Sequence, residues 1–166
     1  MEHQVNKICS TCFYNIKNIA EIRKNISRDN AKMIINALVT SHLDYGNALL
    51  YGIQARLINK LQIVQNAAAR VIEKLKKHDH ITEVRKNLHW LPVKARIEYK
   101  ILTYVYQSQQ ERTPKYLQAL VKTKHQDRNL RSNNKNLLIN PDINLSTYGN
   151  RAFKKSAPEL WNPFPG

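Results

Sequence analysis

Two cysteines three residues apart, Cys9 and Cys12, form the most reactive pair of side chains in the sequence. A C-x-x-C pair can supply half of a tetrahedral zinc site or take part in thiol–disulfide exchange. Zinc would need two further ligands, and the histidines that could provide them are distant in sequence. A redox pair is typical of a helix N-terminus beside a strand, whereas this pair lies inside a helical pattern. We therefore expect reduced thiols that pack as core residues, with no metal and no other cofactor.

Two further segments, His78–His80 and His89–Pro92, carry side chains capable of chemistry. The first could offer metal ligands, but a run of this kind more often forms a polar turn between helices. In the second, an apolar pair before a helix-starting proline favours an anchor for that helix. The chain has no adjacent Asp-Asp pair, no G-x-S-x-G and no H-E-x-x-H. The sequence thus predicts no catalytic residues and no enzyme activity of the chain alone.

The charge balance is strongly basic, with 27 Lys and Arg against 12 Asp and Glu and a net charge of +15. Such an excess predicts a polyanionic partner, because cations that neutralise phosphates release counterions. A membrane surface is the competing polyanion, but it would favour one concentrated basic helix, and here the charge is spread. A merely soluble basic protein is the remaining alternative. We expect a nucleic acid, and neither a membrane nor a small-molecule substrate.

The candidate phosphate-binding residues are cations that lie outside the apolar helical stripes or in a polar stretch. They are Lys60, Arg70, Lys74, Lys94, Arg96, Lys100, Arg128, Arg131 and Arg151. For any single one, a solvated surface position is the better explanation. As a set they favour a surface that follows a nucleic-acid backbone. No finger, recognition helix or aromatic RNA-binding sheet motif indicates base-specific readout.

The elements that must position these cations are predicted to be helices throughout the first 122 residues. Apolar residues recur every three and four positions in three long stretches, from Val5 to Ala20, from Ala31 to Val39 and from Leu57 to Leu75. Ser27 is a predicted N-cap, and Gly46 is a predicted stop or turn. Thr82 is predicted to cap a short helix, and Pro92 to open a long one. The stripe of the third stretch is wide, which favours a bundle over a two-stranded coiled coil.

We expect an all-α or mostly α fold in which residues 1–122 form a helical bundle and residues 123–136 a basic polar linker or loop. The C-terminal segment, 137–166, is expected to pack on the bundle and to be irregular, with room for a short strand at 137–139. A last helical turn is predicted to end before Pro158. The first ten residues lack a signal-peptide layout, and no apolar run is long enough for a membrane span. The expected location is therefore intracellular, either nuclear or cytoplasmic.

Six strings follow one another along residues 8–162. They are CSTCFYNIKNI, ALVTSHLDYGNALLYG, LQIVQNAAARVI, HITEVRKNLHWLPVKARIEYKIL, RNLRS with LLINP, and STYGNRAFKKSAPELWN. Together they resemble the region after the polymerase palm in reverse transcriptases of non-LTR retrotransposons of the Jockey and chicken-repeat type. The resemblance implies a thumb and the segment following it, which pack on the primer–template duplex and its RNA. RNA or RNA–DNA duplex is therefore the expected partner, together with an upstream polymerase domain.

The family's catalytic carboxylates lie upstream, in the palm, and this chain has none of them. Polymerase chemistry needs carboxylates that converge on two metal ions, whereas Asp29, Asp44, Asp79, Asp127 and Asp142 are scattered over separate elements. The resemblance implies a non-catalytic fragment or remnant of an element that binds RNA or RNA–DNA duplex through its phosphate backbone. Two alternatives stay open: a helical protein-interaction module, and a decayed fragment without function.

Overall fold

The computed structural model of the chain describes residues 1–124, 137–142 and 149–163. The first four helices are α1 (Glu2–Ile22), α2 (Arg28–Ile35), α3 (Ser41–Asp44) and α4 (Ala55–Glu73). They are followed by α5 (Thr82–Asn87), α6 (Val93–Gln109), α7 (Lys115–Gln118) and α8 (Phe153–Trp161). No strand lies within the described ranges. The predicted mostly α helical bundle is confirmed.

The chain divides into two compact units, which are Met1–Arg96 and Ile97–Gly166. In the first unit, α1 and α4 pack against each other along their length. Their buried apolar side chains include Val5, Cys12, Ile16 and Ile19 on α1 and Leu57, Leu61, Val64, Ala68 and Ile72 on α4. These belong to the apolar stripes predicted from the sequence. The predicted boundaries at residues 122 and 136 stay predictions.

Helices α1 and α4 run parallel, because contacts join start to start and end to end. Near their starts, Arg56 forms an ion pair with Glu2 at 2.9 Å, and Lys60 Nζ donates to Asn6 Oδ1 at 2.9 Å. Near their ends, Arg23 Nη2 donates to the carbonyl of Ile72 at 2.6 Å. Both helix C-termini therefore lie at the same end of the first unit.

Helix α2 continues through a π-helical turn, Asn36–Thr40, into α3. The Cys12 thiol donates to the Val39 carbonyl with an Sγ–O distance of 3.8 Å, which holds this turn against α1. After α3, Gly46 has a φ of 62°, in the left-handed region that glycine adopts without steric cost. The predicted stop at Gly46 is confirmed.

One of the predicted N-caps is confirmed and one is wrong. Ser27 Oγ accepts a hydrogen bond from the Asn30 backbone N–H at 3.1 Å, as the N-cap position requires. Thr82 is instead the first helical residue of α5, and Ile81 holds the N-cap position without a side-chain hydrogen bond. Glu83 supplies negative charge to that first turn, where the helix dipole favours it.

The second unit contains most of α6 together with α7 and α8. Phe153 of α8 meets Tyr104 of α6 edge to face, with ring centroids 6.4 Å apart. Helix α8 continues through Pro158, so the predicted stop before this proline is wrong. Proline lacks a backbone N–H and so removes one hydrogen-bond donor from the helix. Its carbonyl still accepts from the Asn162 N–H at 3.0 Å, so the helical hydrogen-bond pattern continues to the end of α8.

The segment predicted as a short strand makes a single antiparallel bridge between Thr123 and Leu138. The Asn162 side chain takes the place that a neighbouring strand would hold. Its Nδ2 donates to the Leu138 carbonyl at 3.0 Å, and its Oδ1 accepts from the Leu138 N–H at 2.9 Å. Both backbone groups of Leu138 are thus satisfied without a sheet.

Candidate nucleic-acid interface

The C-terminal end of α4 is held by a buried arginine that follows α1. Arg23 is only 8% exposed. Its Nε donates to the Val71 carbonyl at 2.9 Å and its Nη1 to the Ile26 carbonyl at 2.8 Å, in addition to the bond to Ile72. Carbonyls in the last turn of a helix have no intrahelical donor, and a cation there also complements the helix dipole. Arg23 therefore caps α4 and fixes the end of α1 against it.

Helix α4 ends in a left-handed residue that is not glycine. Lys74, the C-cap, has a φ of 55°, and the next N–H, that of Leu75, donates back to the Arg70 carbonyl at 3.0 Å. This arrangement closes the helix in the manner of a Schellman turn. The Lys74 side chain is exposed at this corner, one turn after Arg70.

A groove of about 390 Å³ lies at this end of the α1–α4 pair. Its lining residues are Arg23, Lys24, Arg70 and Lys74 together with Ala20, Val71 and Leu75. Of these seven described lining residues, four are cations and none is acidic. We call it the basic groove. It brings together two of the predicted phosphate-binding residues, Arg70 and Lys74, and adds two that the sequence analysis missed.

The cations of the basic groove differ in what they already bind. Arg23 is committed to carbonyls of α4. Arg70 donates from Nη2 to the Asp79 carbonyl at 3.2 Å, while its Nε is buried without a hydrogen-bond partner in the described part of the chain. Lys24 and Lys74 are exposed, and no ion pair of either is seen among the described residues. Three of the four cations thus have donors that a ligand could use.

Arg23 and Lys24 were missed because the apolar stripe of α1 ends before them. A weak signal existed: cations are common where a helix ends, since they interact favourably with its last carbonyls. The sequence does not tell that Arg23 reaches the last carbonyls of α4, because Val71 and Ile72 lie 48 and 49 residues further along the chain.

The other predicted phosphate-binding residues that the structure describes lie elsewhere and are mostly engaged. Arg96 holds Asp44 with both arms of its guanidinium, one of them through an Nε–Oδ1 hydrogen bond of 2.9 Å. Lys60 lies about ten residues before Arg70 on α4, some 15 Å along the helix axis. Lys100 stands 5.5 Å from the centre of the Tyr104 ring, a cation–π contact.

Four predicted residues complete the set. Lys94 is exposed and Arg151 half-buried, and each makes an interaction within the chain. Arg128 and Arg131 lie outside the described residues. Among the described members of the predicted set, the structure therefore brings Arg70 and Lys74 into one groove.

A second groove, of about 630 Å³, lies nearer the starts of α1 and α4. Its lining residues are Asn6, Cys9, Ser10, Phe13, Lys60 and Ile63. Phe13 and Ile63 are 42% and 58% exposed, and the one cation, Lys60, is hydrogen-bonded to Asn6. We call it the apolar groove.

The two thiols differ in burial. Cys12 is fully buried, as predicted, and burial raises its pKa to about 11, with a smaller contribution from the neighbouring Cys9. Cys9 is half-buried at the apolar groove rather than in the core. Burial raises the pKa of Cys9, and the nearby charge of Lys60 lowers it in part.

The predicted turn at His78–His80 is also present, with Asp79 Oδ2 accepting from the Lys76 N–H at 2.7 Å.

Within the described ranges, no three His, Cys, Asp or Glu side chains come together as possible ligands of a metal ion. None of the described helices combines the length and the apolar character that crossing a bilayer requires. The chain matches no family model, no curated protein and no solved structure.

Proposed function

We propose that this chain is a non-catalytic helical module that binds RNA or RNA–DNA duplex through the phosphate backbone. In this proposal it corresponds to the region after the palm of a non-LTR retrotransposon reverse transcriptase, and the upstream polymerase domain is a further partner. The basic groove is the observation that carries the proposal. It concentrates four cations around an open surface with no acidic residue among its described lining, which suits a polyanion.

Lys24, Lys74 and Arg70 support this role at the basic groove, although one arm of the Arg70 guanidinium is held by the Asp79 carbonyl. Lys24 and Lys74 can neutralise phosphates without breaking an ion pair within the described residues. Arg70 adds a planar guanidinium whose geometry matches two phosphate oxygens. Arg96, in contrast, would have to leave Asp44 first. We therefore expect Lys24, Arg70 and Lys74 to contribute more to phosphate binding than the other predicted residues.

Cations also gather at helix C-termini simply to offset the helix dipoles, and two such termini meet here. Arg23 fulfils that role, since it donates directly to the last carbonyls of α4. In the described part of the molecule, no side chain of Lys24, Arg70 or Lys74 donates to these carbonyls. The surplus of charge beyond the capping arginine favours an external anion.

A protein-interaction module is the second candidate function, and the apolar groove favours it. Phe13 and Ile63 present apolar surface on neighbouring helices. Exposed apolar surface of this kind often marks a protein contact. Binding to a protein partner at this groove would be insensitive to salt, unlike binding at the basic groove.

The test is a fluorescence-anisotropy titration of an RNA–DNA hybrid and of B-form DNA of equal length at several salt concentrations. Neutralising four to six phosphates would give a slope of log affinity against log salt of about −4 to −5. A modest preference for the hybrid is expected from its wide minor groove and 2′-hydroxyls. Affinity that does not change with salt would contradict the proposal and favour the protein-interaction module.

Matched double variants locate the contact. Lys24→Ala with Lys74→Ala should make the slope less steep by about two. Lys7→Ala with Lys17→Ala removes the same charge from exposed positions of α1 that do not line the groove. Equal losses in the two double variants would show that only net charge matters.

A further inference from the structure

We infer that the basic groove takes an unpaired nucleotide, with the phosphate on its cations and the base against its apolar residues. This inference rests on the proposed function and adds which part of the nucleic acid enters the groove. A duplex offers phosphates but no base faces, because its bases are stacked on one another. An unpaired nucleotide offers both a phosphate and an apolar face.

The apolar part of the groove is the first reason. Ala20 is exposed, and Val71 and Leu75 are half-buried, all beside the four cations. Phosphate oxygens gain nothing from such surface, whereas a base face that covers it removes apolar area from water. A groove that served only duplex phosphates would have no use for these three side chains.

The guanidinium of Arg70 is the second reason. One of its arms is fixed by the Asp79 carbonyl, and its buried Nε has no partner in the described part of the chain. Because the Nε itself is buried, a ligand would meet this guanidinium through its outer nitrogens, and no carboxylate neutralises its charge in an ion pair within the described part of the chain. A phosphate drawn to the outer edge of this guanidinium, with Lys24 and Lys74 beside it, would supply the missing negative charge.

Size and rigidity agree with a ligand of this scale. The groove volume of about 390 Å³ is within the range of roughly 300–1,000 Å³ that is usual for small-molecule sites. Arg23 fixes one wall through its bonds to carbonyls of α4, so little ordering is required when a ligand arrives. The groove can thus discriminate by shape as well as by charge.

A free mononucleotide and an unpaired residue of a strand share this chemistry. The first experiment tests the shared part by two-dimensional NMR titration of the full chain with AMP, ribose 5-phosphate and adenosine. We expect AMP to saturate at a concentration about fivefold lower than ribose 5-phosphate, because base contacts add to the phosphate contacts. The amide signals of Ala20, Val71 and Leu75 should shift with AMP. Equal saturation by AMP and ribose 5-phosphate would overturn the inference.

A second arm distinguishes the two sources. Single-stranded RNA and a fully paired RNA duplex with the same number of phosphates are compared by anisotropy at one salt concentration. Tighter binding of the single strand, by about fivefold, would identify an unpaired residue of a strand as the ligand. Equal binding of the two RNAs, together with a preference for AMP over ribose 5-phosphate, would identify a free nucleotide.

Variants separate the two halves of the site. Leu75→Ala should reduce the preference for AMP over ribose 5-phosphate, and Ala20→Ser, at an exposed position, should do the same if the first variant is poorly folded. Lys24→Gln should weaken AMP and ribose 5-phosphate equally and leave their ratio unchanged. A ratio that is unaffected by Leu75→Ala and by Ala20→Ser would overturn the role of the apolar residues.

Failure of the inference is distinguishable from failure of the proposed function. Salt-dependent duplex binding without any preference for AMP or for single-stranded RNA would leave the proposed function standing and refute the unpaired nucleotide. Absence of binding to every probe, duplex included, would refute both.

Discussion

The basic groove and the apolar groove lie along the same pair of parallel helices, yet they differ in how many of their cations are committed to the fold. At the apolar groove, the single cation, Lys60, is hydrogen-bonded to Asn6. At the basic groove, one arginine caps α4 and three further cations keep donors for other partners. The number of cations on a helix is therefore a poor guide to function. Whether a cation can bind a ligand depends on whether its donors already have partners within the fold.

The parallel packing of α1 and α4 explains why the two grooves diverge. Both helix C-termini meet at the basic groove, so their partial negative charges accumulate there and favour cations. At the other end, Glu2 and Arg56 neutralise each other. The same two helices thus place three cations that keep donors for other partners at one end and the Arg56–Glu2 ion pair at the other.

The largest effect is expected from removing the capping arginine of the basic groove. Arg23→Ala leaves the carbonyls of Ile26, Val71 and Ile72 without their buried donor and should lower the free energy of unfolding by about 2–4 kcal/mol. Urea denaturation followed by circular dichroism measures this change. Lys24→Ala, at the exposed neighbouring position, is the control and should change stability by less than about 0.5 kcal/mol. Equal effects of the two substitutions would mean that Arg23 does not cap α4.

The next effect is a loss of stability at alkaline pH that originates at the buried Cys12 thiol, which lies against the Val39 carbonyl in the core of the first unit. Burial raises the pKa of Cys12 from 9.0 to about 11, so the unfolded chain loses this proton first. The contribution of the protonated Cys12 thiol to the free energy of unfolding is complete below pH 9. It decreases as the pH rises from 9 to 11, by about 2–3 kcal/mol in total.

The measurement is urea denaturation at several pH values between 8 and 11, for the natural chain and for Cys12→Ala. The variant should lose the part of the decline that belongs to this thiol, whatever its stability at pH 8. Cys9→Ala, at the half-buried thiol, should retain most of the decline. Parallel pH curves for the natural chain and Cys12→Ala would show that the buried thiol does not cause it.

The comparison of the grooves also shows what the sequence could and could not predict. Apolar spacing of three and four residues identified the buried faces of α1 and α4, because helix periodicity is a local property. The Ser27 cap was predictable for the same reason, since its partner is only three residues away. The capping role of Arg23 was not, because it depends on two helices meeting that are nearly 50 residues apart.

Long-range pairing likewise decides which predicted phosphate-binding residues have donors left for a ligand. Arg70 and Arg96 look equivalent in the sequence, as cations beside apolar helical stripes. The structure separates them, since Asp44 occupies the guanidinium of Arg96 from 52 residues away. The predicted N-cap at Thr82 and the predicted helix end before Pro158 were wrong for a different reason. The exact end of a helix depends on its packing as well as on its local residues.

A smaller effect is expected when the lysines of the two grooves are exchanged for alanine one at a time. Lys74→Ala should weaken binding of the RNA–DNA hybrid by about threefold to eightfold near 0.1 M salt, because one phosphate contact is lost. Lys60→Ala removes the same charge from the same helix and should weaken binding by less than about twofold. Anisotropy titrations of the two variants under identical conditions give the ratio. A larger loss in Lys60→Ala would place the nucleic acid at the apolar groove.

The smallest effect is expected from Ile63→Ser in the apolar groove. Ile63 is 58% exposed, so its replacement should change the free energy of unfolding by less than about 0.5 kcal/mol. Affinity for the hybrid should stay within a factor of about two, because no phosphate contact is removed. Leu61→Ala is the matched control on the same helix: its side chain is 1% exposed, and its truncation should cost about 2–5 kcal/mol. A clear loss of nucleic-acid affinity in a stably folded Ile63→Ser protein would mean that the two grooves form one binding surface, and the distinction between them would no longer hold.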